Sequence, residues 1–205
     1  MMHIVMLTVL LGVAATPALA HHVMGGATPV TFSDGLLSGL GHPLIELDHL
    51  AAIIAIGCIA ARERRGSMLV VCYVIAMMLG AAGHVGEATV AGAEVFVAIS
   101  VLVLGAVLLA MRPIRVDVAI ALFACAGLLH GYALGESIAG AQPAPISAYL
   151  MGLTFIQSAV ALAIMALARV LAARSAVEPS VVRGVAAAVL LVGVVALVRQ
   201  LAGAT

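Results

Sequence analysis

The chain has 205 residues, of which 65% are hydrophobic and only 9% charged, with a formal net charge of zero and no lysine. Soluble domains are about 45–50% apolar and about 25% charged, so the composition excludes an ordinary soluble domain. It also offers no basic surface for a nucleic acid, and its mean hydropathy of +1.29 points to an integral membrane protein.

The first predicted element is a secretory signal over residues 1–20. "IVMLTVLLGVAA" is a short apolar core, and "ALA" at 18–20 is a small-x-small cleavage site. Cleavage after Ala20 leaves a mature chain, 21–205, that begins His21-His22 on the outer side. The "MMH" start carries no Lys or Arg, so an uncleaved N-terminal helix is the alternative.

A bilayer core needs about 20 apolar residues per helix. Six stretches qualify, at about 36–61, 67–85, 93–111, 116–135, 146–172 and 181–202. The runs are continuous rather than alternating, so they predict helices and not barrel strands. The expected fold is an all-α membrane protein, a single six-helix transmembrane domain over 21–205. Abundant Gly and Ala favour close helix contact and leave a homo-oligomer open.

Arginine sets the orientation. Arg62, Arg64 and Arg65 follow the first span, Arg112 and Arg115 the third, and Arg169, Arg174 and Arg183 the fifth. Eight of the nine arginines therefore fall on alternate loops, which the positive-inside rule makes cytoplasmic. The other loops carry Glu87, Glu94 and Glu136. Both termini of the mature chain are then outside, in agreement with the signal.

With that orientation, His42, His49, His84 and His130 all lie in the outer half, as do Asp34, Glu46, Asp48, Glu87, Glu94 and Glu136. Ionisable groups at membrane depth are costly and usually face a polar cavity. One-sided clustering over three spans predicts a shared site; the bland alternative is a set of interfacial residues and satisfied core histidines. In "GLGHPLIELDHL", His42, Glu46 and His49 fall on one helical face at i, i+4 and i+7. Asp48 points away from that stripe, and either faces a neighbouring helix or orients an imidazole. The glycine-rich "GLLSGLG" before it predicts a broken or re-entrant segment, with a helix beginning at Pro43. In span 4, "LLHGYALGES" places His130 and Glu136 at the outer end, and Gly131 and Gly135 form a GxxxG packing face.

Imidazole and carboxylate together suit Ni²⁺, Co²⁺, Zn²⁺ or Mn²⁺. The methionines are dispersed, with no funnel for Cu(I), and there is no zincin or P-loop sequence. Cys58, Cys72 and Cys125 lie inside apolar runs without a CxxC pattern and read as small hydrophobes. Cys58 and Cys72 as soft exit ligands are the alternative. The α-amine and ring of a mature His21, with His22 adjacent, would form an outer capture site.

"HPLIELDHL" at 42–50 resembles HPxxGxDH, a signature of the HupE/UreJ family, and "LHGYALGE" at 129–136 is similar to its second signature, HGxAHGxE. The resemblance implies a nickel or cobalt permease of the bacterial inner membrane, associated with hydrogenase, urease or cobalamin metabolism. It implies His42, Asp48, His49, His130 and Glu136 as metal ligands. Glu46 stands where the family usually has glycine, and Leu134 where it usually has histidine. Glu46 or His84 is therefore a candidate replacement ligand, and His21 and His22 are secondary ones. The expected cargo is Ni²⁺ or Co²⁺ with no organic cofactor, and the expected partners are that ion and the bilayer. A non-transporting metal-binding accessory or sensor is the second reading, and an intramembrane hydrolase the third.

Overall fold

The computed structural model describes residues 28–173 and 178–203. The proposed signal, the cleavage site and His21-His22 lie outside the described residues. Among those described, the only regular structure is helical: α1 (Phe32–Ile45), α2 (Leu47–Arg62), α3 (Gly66–Val85), α4 (Ala93–Ala110), α5 (Val116–Gly135), α6 (Pro143–Ala172) and α7 (Glu178–Gly203), with a 3-10 turn at Glu136–Ile138. The last five helices are each long and apolar enough to cross a membrane, and α1 with α2 makes a sixth span, bent by 77°. The chain is thus a helical bundle of five or six apolar spans.

The first span is broken, as its sequence suggests, but its helix start and its break lie elsewhere than expected. The helix starts at Phe32, well before Pro43, because Thr31 and Asp34 form a reciprocal capping box. Thr31 Oγ1 accepts from the Asp34 N–H at 3.1 Å, and Asp34 Oδ2 accepts from the Thr31 N–H at 2.9 Å. Pro43 sits inside α1 near its end. The chain breaks at Glu46, whose extended backbone (φ −80°, ψ 115°) caps α1 and begins α2.

Small residues set the helix spacing. On α5, Gly127, Gly131 and Gly135 lie against Tyr73, Met77 and Ala81 of α3, a register of four against four that makes the two helices parallel. A methyl at Gly131 would overlap the Met77 carbonyl. On α1, Gly35 and Gly39 lie against Pro145 and Tyr149 of α6 in the same parallel sense. On α4, Gly105 meets Leu190 of α7, while Leu102 meets Gly193, so that pair is antiparallel. These directions are those of spans that alternate through a bilayer.

The alanine-rich α2 runs through the centre, with Ala52, Ile53, Ala55, Ile56 and Ala60 fully buried. Arginines gather where α2 ends: Arg62 donates to the Met111 carbonyl at 2.9 Å, and Arg169 to the Ala61 and Glu63 carbonyls at 3.4 and 3.3 Å. At the opposite end, Tyr132 holds the α3–α4 connection, donating to the Ala88 carbonyl at 2.8 Å and accepting from the Val90 N–H at 2.9 Å.

Candidate metal centre

The break in the first span creates the site. Glu46 sits at the bend, with a helix on each side of it. Its Oε1 lies 3.1 Å from His42 Nε2 on α1, and its Oε2 lies 3.2 Å from His49 Nδ1 on α2. One carboxylate thus joins two imidazoles from separate helices. The i, i+4, i+7 stripe stays together although the helix carrying it does not.

Asp48 holds the same ring. Its Oδ1 accepts from the backbone N–H of His49 at 2.8 Å and from His49 Nδ1 at 2.9 Å. Glu46, Asp48 and His49 each offer a ligand atom, and those atoms lie within 4.8 Å of one another. A carboxylate on one ring nitrogen is the usual means of orienting a metal-binding imidazole, leaving the other nitrogen as the ligand. Here the other nitrogen, His49 Nε2, is buried and has no hydrogen-bond partner.

His130 arrives from α5. Its ring stands edge-on to that of His49, with centroids 4.8 Å apart and planes at 79°. His130 is fully buried. Its Nε2 lies 2.8 Å from Ser100 Oγ on α4, and its Nδ1 is also buried without a partner. An unsatisfied buried polar atom costs about 1–3 kcal/mol. Both such atoms here are nitrogens of the kind a borderline divalent cation takes. Among the described residues, the ligand atoms close enough together to share one ion are those of Glu46, Asp48 and His49, with His130 against the His49 ring.

The remaining expected ligands are placed differently. Glu136 is exposed at the 3-10 turn after α5. His84 is half-buried and packs on Tyr132, ring centroids 4.6 Å apart, rather than joining the cluster. Leu134 is fully buried, and its carbonyl accepts from Tyr149 at 2.7 Å and Ser137 at 2.9 Å. No imidazole replaces the family histidine at that position; Glu46 is the added group that joins the cluster. Glu94, in the first turn of α4, interacts electrostatically with His49, Asp48, Glu46 and Glu136.

The sequence reading missed Ser100, and also a deeper polar pair in which Tyr73 donates to Gln157 Oε1 at 3.2 Å. Each had a faint signal. Ser100 is the one hydroxyl of α4, and Gln157 the one amide inside α6. Of the cysteines, Cys58 and Cys72 are half-buried and Cys125 is exposed. Cys72 Sγ lies 3.9 Å from the Ile120 carbonyl.

Fold and cluster together define a multi-pass helical membrane protein whose first span is broken around buried histidines and half-buried carboxylates. The family described as HupE / UreJ protein matches residues 8–196, and the chain belongs to it. It is similar to Protein HupE of Rhizobium leguminosarum bv. viciae, at 28% identity over 131 residues. That match covers 63% of this chain and 66% of the relative, just under two thirds of its length. No solved structure matches.

Proposed function

We propose that the protein is a permease that carries Ni²⁺ or Co²⁺ across the bacterial inner membrane into the cytoplasm. The observation that carries this reading is the pair of buried, partnerless ring nitrogens, His49 Nε2 and His130 Nδ1, beside Glu46 and Asp48. The family supports the metal class. His42 and Glu46 hold the cluster at the bend, Asp48 orients His49, and Glu136 and His84 serve the approach to it. With both termini outside, the cluster lies in the outer half. A dication moving inward then gains about 4.6 kcal/mol per 100 mV of membrane potential, on the order of a thousandfold in concentration. No nucleotide is needed for that gain.

The test is uptake of ⁶³Ni²⁺ and Co²⁺ by cells expressing variants with equal membrane insertion. His49→Ala and His130→Ala should each abolish uptake. Normal uptake by both would sink the assignment.

A non-transporting accessory or sensor is the second reading, favoured by one feature. Between the cluster and the arginine-bearing end, Ile53, Ile56, Leu69, Phe123 and Leu153 are fully buried and apolar. Purified protein in vesicles separates the two: a permease fills the lumen with metal, whereas a sensor binds metal and passes none.

A further inference from the structure

The carboxylates of the cluster account for how His49 is held, but nothing in the family signatures holds His130. We propose that Ser100 is the positioning residue for His130. Its hydroxyl fixes the ring as the Nε2–H tautomer and leaves Nδ1 as a lone pair available to the cation. The inference rests on the dication site proposed above.

The argument is a count of protons. A serine hydroxyl has one hydrogen to donate and two lone pairs to accept with. Ser100 Oγ lies 2.8 Å from the Val97 carbonyl and 2.8 Å from His130 Nε2. The carbonyl can only accept, so the Ser100 hydrogen belongs to Val97. Ser100 must then accept, and His130 Nε2 must carry a hydrogen. A neutral imidazole has one N–H, so His130 Nδ1 is a bare lone pair.

The opposite assignment fails on burial. If Ser100 donated to Nε2, the hydrogen would move to Nδ1. That N–H is buried and meets no acceptor. It would also sit on a ring packed edge-on against His49 at 4.8 Å. An orphan lone pair in that place is satisfied when a cation arrives; an orphan N–H is not. The chain His130 Nε2–H, Ser100 Oγ–H, Val97 C=O has a single direction, anchored in the helical backbone of α4.

Two further facts mark the contact as more than a helical serine bonding to its own turn. Ser100 is the sole hydroxyl of α4, in a run otherwise apolar after Glu94. It reaches a different helix, and both partners are buried. Each site imidazole therefore has one nitrogen tied to a hydrogen-bond acceptor from the protein, Asp48 for His49 and Ser100 for His130. That arrangement leaves one unpartnered nitrogen on each of two adjoining rings, Nε2 of His49 and Nδ1 of His130.

The experiment uses purified full-length protein in detergent, titrated with Ni²⁺ and Co²⁺, with ¹⁵N NMR of the histidine rings. Ser100→Ala should weaken binding roughly 10–100-fold, the range for loss of an outer partner of a ligand. It should also shift His130 from pure Nε2–H to a tautomer mixture, in a protein that melts somewhat lower but still folds. Ser100→Thr keeps the hydroxyl and should recover both. Unchanged affinity in Ser100→Ala, or an unchanged tautomer despite weaker binding, would overturn the proposal. So would a Ser100→Thr protein that melts like the wild type but binds like Ser100→Ala. His130→Ala separates the two levels: if it binds as tightly as the wild type, the dication site itself is wrong; if it loses binding while Ser100→Ala keeps wild-type affinity, only the role of Ser100 is.

Discussion

At the scale of single residues, Glu46 carries the largest burden. It bridges His42 and His49 with its two oxygens, 3.1 and 3.2 Å away, and its backbone makes the bend. Glutamine keeps the shape but offers one acceptor instead of two. Glu46→Gln should therefore weaken the bridge, at a cost of at most about 1–3 kcal/mol, because the His49 ring keeps Asp48 Oδ1. Unfolding by titrated dodecyl sulfate would measure that loss, and an unchanged midpoint would show the bridge to be incidental. Glu46→Gly restores the usual family residue and removes the bridge, but leaves Asp48 on His49. It should retain uptake at lower apparent affinity, by about tenfold. Much of this was legible beforehand. The spacing of His42, Glu46 and His49 put them on one face. The angular offset of Asp48 left it to face a neighbouring helix or orient an imidazole, and it does the second, on the ring of its own neighbour. Ser100 was not legible as a partner, because thirty residues separate it from His130 and only the packing of α4 on α5 joins them.

At the scale of elements, packing faces were more legible than boundaries. Gly131 and Gly135 predicted a close helix neighbour, and α3 fills that role. The start of the first span was misplaced, since Pro43 and the glycines before it looked like a helix entrance. The capping box at Thr31 and Asp34 outweighs them, and the glycines of α1 turn out to be contacts with α6 rather than breaks. Pro43 forfeits the hydrogen bond to the Gly39 carbonyl, and the helix ends two residues later. The two roles of glycine can be told apart experimentally. Gly131→Ala places a methyl on the Met77 carbonyl. It should destabilise the α3–α5 seam by about 1–3 kcal/mol, as overpacking does. Gly83→Ala, on α3, meets nothing within 4 Å. It should be neutral or gain up to about 1 kcal/mol from helix propensity. Melting both variants in one detergent checks the contrast, and equal effects would contradict the seam.

At the scale of the molecule, polar groups are sorted by end. Histidines and carboxylates cluster where α1 meets α2, and arginines where α2 ends and α6 finishes. The parallel register of α3 on α5, and the antiparallel one of α4 on α7, require successive spans to alternate. The sorting therefore follows the bilayer normal, and the positive-inside rule turns it into a sidedness. In the proposed orientation the arginine loops face the cytoplasm, and the cluster opens outward, on the side from which a potential draws cations in. Single cysteines test this in a chain whose Cys58, Cys72 and Cys125 are alanine. Ala91→Cys probes the exposed α3–α4 connection, and Arg64→Cys the exposed connection between α2 and α3. In intact cells stripped of outer membrane, an impermeant maleimide should label position 91 and not position 64; permeabilisation should expose both. The reverse pattern would put the cluster on the cytoplasmic side. The same dication would then lose about 4.6 kcal/mol per 100 mV on leaving that site for the outside, and the protein could serve as an exporter only if coupled to another gradient.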